Sequence, residues 1–297
     1  MSKPESRLQH TVPSAVADEL ASDVFASLPR SDQRRKARQY VRGLLEAEGR
    51  KSIRKIAALT GERAAEQSLQ HFVSCSTWPW DVVRATLARR MEAVVRPSAW
   101  VVRPLVIPKA GSRSVGVGRR LVPELGQVIN CQRAYGVWLA NDAVSWPAHW
   151  RLDLPASWTD DPTSRREADL PDWAAAESPS LGIARAAVEM AEGGWGLARR
   201  PVVLDAGDGG DDGTGAAVLA AAGLPFIARI SGTAGVVPTD APVPGRGRGL
   251  VPAHEVMCAV RGLRRPVEWL DPEGAPLRTS LAAKVPVTVR NLAPYAR

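Results

Sequence analysis

The chain has 297 residues, 45% of them hydrophobic, enough to bury a sizeable core, and no run of about 18 apolar residues that would cross a bilayer. Its start, MSKPESRLQHTVPS, lacks the charged-then-apolar order of a secretory signal, and Cys75, Cys131 and Cys258 are too far apart for a disulfide framework or a zinc cluster, so a reduced, cytoplasmic setting is expected. The 39 Lys+Arg outnumber the 31 Asp+Glu by 8, nearly all as arginine, which favours a polyanionic partner over an acidic or apolar one.

Residues 14–95 read as helical. Apolar residues recur at three- and four-residue steps over Ala15–Leu28, Asp32–Glu48, Ser52–Leu59, Ala64–Ser74 and Pro79–Val94, with Tyr40, Val41, Leu44 and Leu45 forming one such stripe. Ser31 and Ser52 stand where N-caps belong, and Gly61 follows Leu59 as a stop. The short helices on either side of Thr60-Gly61 have helix-turn-helix proportions, a pattern shared by plain helical bundles. Residues 1–97 are therefore expected to form a helical domain.

After Pro97 the period becomes alternating. Trp100–Ile107, Ser114–Gly118, Gln127–Leu139 and Ser145–Leu154 read as consecutive antiparallel strands. A polar, acidic link, Trp158–Asp172, leads to a helix Leu181–Glu192, a strand Pro201–Leu204, a helix Thr214–Ala222 and a strand Pro225–Ile230. Ser231–Leu250 is rich in Gly, Pro and Arg and reads as a mobile loop, followed by a short helix and strands Pro266–Leu270 and Lys284–Val289. Hairpins followed by βα units predict an α+β class, with a mixed sheet over residues 98–297 and helices on its faces. The 10 tryptophans are scattered, as core and surface anchors are, and do not form a base-stacking row.

Two kinds of residue can carry chemistry. Basic groups come in clusters: Arg34, Arg35, Lys36 and Arg38; then Arg50, Lys51, Arg54 and Lys55; then Arg113, Arg119 and Arg120 by the first hairpin, and Arg246 and Arg248 in the Gly-rich loop. Such groups either grip phosphates, giving affinity and salt sensitivity with little sequence choice, or form solvated faces. The acidic run Asp205-Ala206-Gly207-Asp208-Gly209-Gly210-Asp211-Asp212-Gly213 departs from calcium-loop spacing and reads as a turn ahead of a helix. His10, His71, His149 and His254 are never at ligand spacing, and Cys131 lacks the setting of a nucleophile.

Six ordered blocks carry a resemblance. They are Arg50-Lys51-Ser52 with the Ile-Ala-Ala helix; Ser68-Leu69-Gln70-His71-Phe72-Val73-Ser74; Trp78; Pro108-Lys109-Ala110-Gly111-Ser112-Arg113-Ser114-Val115-Gly116-Val117; Gly126-Gln127-Val128-Ile129-Asn130-Cys131-Gln132; and Leu154-Pro155-Ala156-Ser157-Trp158-Thr159-Asp160-Asp161. Together, over roughly residues 20–290, they resemble insertion-sequence transposases of the DDE superfamily endonuclease type.

That resemblance implies an RNase H-like domain over residues 98–297, double-stranded DNA as partner, and Mg²⁺ or Mn²⁺ as cofactor wherever activity is retained. It also implies assembly as a homodimer or larger, although no heptad run specifies one. In such enzymes three carboxylates hold two cations about 4 Å apart, which activate the attacking oxygen and stabilise the leaving one. The first carboxylate belongs just ahead of the Pro-Lys block, where this chain reads Arg103-Pro104-Leu105-Val106-Ile107. The second matches Asp205. The third, a glutamate, belongs on a helix beyond Val285–Val289, whereas Glu255, Glu268 and Glu273 come too early. The expectation is a degenerate or truncated copy, impaired in strand cleavage, with Asp205 as its remaining catalytic and metal-binding residue. Reuse as a non-nuclease DNA-binding regulator or scaffold, and an intact enzyme split over two reading frames, are the alternatives.

Overall fold

The computed structural model describes residues 14–61, 65–122, 125–205, 214–239, 249–269 and 277–289. The chain divides into two compact units, Met1–Arg90 and Met91–Arg297.

The first unit is helical. Helices α1 (Ser14–Val24), α2 (Ser31–Glu46), α3 (Ile53–Ala58) and α4 (Ala65–Cys75) lie within it, and α5 (Trp80–Val95) begins there. Ser52 caps α3 by accepting from the Lys55 amide at 3.3 Å, as its place in the sequence predicts. Helices α2, α3 and α4 pack on one another around Ala47, Ile56, Ala57, Ala65 and Leu69. Only part of the predicted α2 stripe turns inward, for Leu44 and Leu45 are exposed. The inward residue is Gly43, whose missing Cβ lets Ile56 of α3 sit directly against the α2 backbone. Gly61, after α3, has φ +68°, a conformation that favours glycine. A second cluster gathers Ala21, Val24, Phe25, Leu28 and Phe72, with Trp78 edge-on to Phe25 and stacked at 4.5 Å on the half-exposed Trp80.

The second unit is built on a six-stranded sheet. Strands β1 (Ala99–Pro108), β3 (Gln127–Ala140) and β4 (Ser145–Asp153) form an antiparallel meander, and β5 (Val202–Asp205) and β6 (Phe226–Arg229) run parallel to β1. The order is β4-β3-β1-β5-β6. Short β2 (Gly118–Val122) extends the β4 edge, since Gly118 and Pro108 flank Cys131 from opposite sides. This is the α+β, RNase H-like arrangement expected from the sequence. Helix α8 (Pro179–Glu192), capped by Ser178, lies across β1, β3 and β4 and packs on α9 (Thr214–Ala221). Gly182 and Gly215 permit these close approaches, to the Tyr135 ring and to the Ser180 backbone.

Four readings change. Ser114–Gly118 is a turn rather than a strand, for Gly116 takes φ +77° and the strand starts at Gly118. The acidic link holds two short helices, α6 (Ala156–Thr159) and α7 (Pro162–Glu167), the second capped by Asp161. The Asp161 carboxyl is held below its ordinary range, chiefly by its hydrogen bond to Ser164. Within the expected loop Ser231–Leu250 lies β7 (Gly235–Pro238), which pairs with β8 (Val251–Pro252) and β11 (Val287–Val289). After α10 (Ala253–Ala259), β9 (Arg265–Trp269) gains an unpredicted partner, β10 (Arg278–Ala282). The first two changes are made by local turns and caps, whereas the pairing of β7 with β11 depends on residues distant in sequence.

Candidate functional site

Strands β5 and β6 end together at Asp205 and Arg229, while β1 runs on to Pro108. In register, Trp100 faces Val202, Val101 faces Val203 and Val102 faces Leu204, and Arg103 and Asp205 follow these last partners in their own strands. On the other side of β5, Asp205 is paired with Arg229 of β6. Residues in one row of a sheet share a face. Trp100, Val102, Val202 and Leu204 form the buried rows, while Arg103 and Arg229 are exposed. The Trp100 amide donates to Pro201 at 2.9 Å, so alternation would aim the amide of residue 104 at β5 as well. Proline has none, and the pairing with β5 stops at Val102.

Three of the family blocks, at 108–117, 126–132 and 154–161, come together at the other end of β1, joined by hydrogen bonds. Asn130 Nδ2 donates to the carbonyls of Lys109 (2.8 Å) and Gly111 (2.9 Å), and Gln132 Nε2 donates to that of Val115 (2.6 Å). Trp158 Nε1 donates to the Val117 carbonyl at 2.8 Å. The blocks read as motifs in the sequence are thus staples on the loop from 109 to 117. Cys131 is buried in the same strand, away from any reactive role.

A family model described as DDE superfamily endonuclease matches residues 23–292. The chain belongs to that family. No curated protein matches it.

The sequence resemblance expects a metal-binding carboxylate at Asp205, so the strand positions Arg103, Asp205 and Arg229 are the place to test for metal. DDE endonucleases typically use divalent cations, and those need converging oxygen ligands. Here Asp205 is paired with Arg229, and the residue after Val102 in β1 is Arg103, and a fixed cation about 5 Å from a divalent ion repels it by several kcal/mol at the effective dielectric of a protein site. Among the described residues no three His, Cys, Asp or Glu side chains are grouped to hold an ion. Arg103 and Arg229 supply no oxygen ligand for a two-metal centre.

The remaining residues singled out from the sequence are placed as follows. Arg50 precedes α3, Arg54 is on it, and both are exposed. Lys51 donates from Nζ to the Ala47 carbonyl and Lys55 to that of Glu48 at 3.2 Å, so both ammonium groups neutralise the carbonyl end of α2. Arg113, in the loop after β1, and Arg119, on β2, are exposed. Arg120 is largely buried and bound to Asp153 at 2.5 Å. Arg246, Arg248 and the residues from 206 to 213 lie outside the described residues. No helix among the described residues is long and apolar enough to cross a membrane.

Sequence reading missed two charged groupings. Asp153, with its side chain 4% exposed, binds both Arg120 and Arg133 at 2.5 Å. Tyr135 stands beside this cluster, and burial together with the Asp153 carboxylate pushes its phenol up to about 12. Under α8, buried His149 meets Glu189 at 3.1 Å and the edge of Trp195, while Arg151 binds Glu177 at 2.9 Å and also Glu189. These partners are between 20 and 40 residues apart in the chain, so local spacing carries no sign of them.

Proposed function

We propose that this DDE-family chain is a transposase-like DNA-binding protein impaired in strand cleavage. One observation carries the reading: Arg103 follows Val102 in β1 as Asp205 follows its register partner Leu204 in β5, so an arginine stands where the family chemistry calls for a carboxylate. An arginine there opposes cation binding and leaves a basic sheet end toward a phosphodiester.

DNA binding is supported by charge and its distribution. Residues 1–90 hold 16 Lys+Arg against 10 Asp+Glu, which accounts for most of the net +8 of the chain. Arg35, Arg38 and Arg42 project along one side of α2 into an open groove of about 700 Å³ that also receives Asp18 and Asp32. With Arg50, Arg54, Arg113 and Arg119, these guanidinium groups are the proposed phosphate contacts. The assembly is proposed to be a homodimer, with Mg²⁺ or Mn²⁺ entering only if some cleavage survives.

The test pairs binding with cleavage on duplex DNA of mixed sequence. Affinity that falls steeply with salt, without nicking in Mg²⁺ or Mn²⁺, is the expected result. Metal-dependent nicking that vanishes in Asp205→Ala would overturn the impaired reading, and salt-insensitive or absent binding would overturn the DNA reading.

A further inference from the structure

Helix α4 presents a face that the phosphate contacts do not explain. Its inward side is Ala65, Leu69 and Phe72, all buried. Its outward side carries Gln67, Gln70, His71 and Ser74, all exposed and spaced three, one and three residues apart, which makes one stripe on a helix. Helix α4 has no lysine or arginine, and Glu66 in its first turn is its single charged residue besides what His71 can carry.

A solvated helix face in a chain this basic would be expected to share in the charge. This face instead offers neutral donors and acceptors, and Gln70 Nε2 donates to Ser74 Oγ at 2.8 Å, which orders two of them in advance. Phosphates call for cations, whereas base edges call for groups of this kind: a glutamine amide can bond adenine at N6 and N7, and a serine hydroxyl serves several bases. Cations stand nearby in the chain, at exposed Arg50 and Arg54 at the start of α3.

The packing presents α4 as a reading helix requires. Helices α2 and α3 close on each other through Gly43, α3 packs on α4, and Gly61 after α3 has φ +68°. Eleven residues span about 16 Å, a length that lies comfortably in a B-form major groove about 12 Å wide.

From this we infer that α4 is a major-groove reading helix, with Gln67, Gln70, His71 and Ser74 contacting base edges while Arg50 and Arg54 hold the flanking phosphates. The occupant is duplex DNA, chosen because the positive excess of residues 1–90 complements it. The inference rests on the DNA-binding reading above and adds sequence choice to it.

The experiment selects bound duplexes from a randomised library with the full chain, then compares the enriched duplex with a scrambled one. A motif should emerge. The variant carrying Gln67→Ala, Gln70→Ala and His71→Ala should lose at least about tenfold of the preference for it, as removal of one or more bidentate base contacts would produce. Its affinity for the scrambled duplex and its salt slope should stay unchanged. Arg50→Ala with Arg54→Ala should weaken both duplexes alike and make the salt slope shallower. Gln70→Arg should shift the preferred base at one position toward guanine, a gain that a folding defect cannot imitate.

Enrichment of no motif, or a motif kept in the triple variant, would overturn the assignment of α4 while leaving the DNA-binding reading intact. A triple variant that loses self-association but keeps the motif would assign the face to a second copy instead. Failure of the wild-type chain to bind any duplex would overturn the DNA-binding reading itself.

Discussion

Asp205 and Arg229 pair in register at the ends of β5 and β6, and β1 runs alongside with Val102 opposite Leu204, one residue before Arg103. This arrangement sets arginines on the strands that flank Asp205, the position proposed to match a family carboxylate. The first prediction concerns that row. Mn²⁺ should leave the thermal stability of the wild-type chain unchanged, while Arg103→Asp should restore an acidic pair and give a Mn²⁺-dependent gain of about 1 to 3 kcal/mol at saturating ion. Equal metal response in both proteins, followed by thermal unfolding with and without Mn²⁺, would show that Arg103 does not govern cation binding.

Asp153 joins the β2 and β3 strands through Arg120 and Arg133. Removing one member of a buried charge group leaves the others uncompensated, so Asp153→Ala should destabilise the second unit by about 3 to 5 kcal/mol. Urea unfolding measures this. A loss below about 1 kcal/mol would place the cluster among solvent-screened surface bridges.

Tyr135 makes a prediction at alkaline pH. Its phenol is pushed up to about 12, above the value near 10 of an unfolded tyrosine. The stabilisation is therefore complete below about pH 10 and is lost as pH rises through about 12, by roughly 3 kcal/mol in all. Stability measured across that window should fall less steeply in Tyr135→Phe than in the wild type.

Gly43 and Gly182 each stand where a Cβ would overlap a buried neighbour, Ile56 in the first unit and the Tyr135 ring in the second. Gly43→Ala and Gly182→Ala should each cost about 1 to 3 kcal/mol through overpacking. Gly61→Ala meets no neighbour, so any loss there, read by the same denaturant titration, comes from the positive φ alone.

Much of this protein is local in origin and was legible in its residues. Helical periods, the Ser52 cap, the alternation of β1, β3 and β4, and the Asp205 strand end depend on neighbours within a few positions, so the sequence determined them. It also determined that residue 103 is an arginine and residue 104 a proline. The tertiary structure alone decided what those facts mean. Register between β1 and β5, just over 100 residues apart, sets Val102 opposite Leu204, the residues before Arg103 and Asp205, and pairing with β6 adds Arg229 from a segment with no motif to mark it. Burial decided the rest: it committed Arg120 to Asp153, turned Lys51 and Lys55 onto the end of α2, and separated the neutral outward stripe of α4 from its apolar inward one. The physical reason is the same in each case. Propensity and capping act along the chain, whereas pairing, desolvation and charge compensation depend on which distant residues the fold brings within a few ångströms.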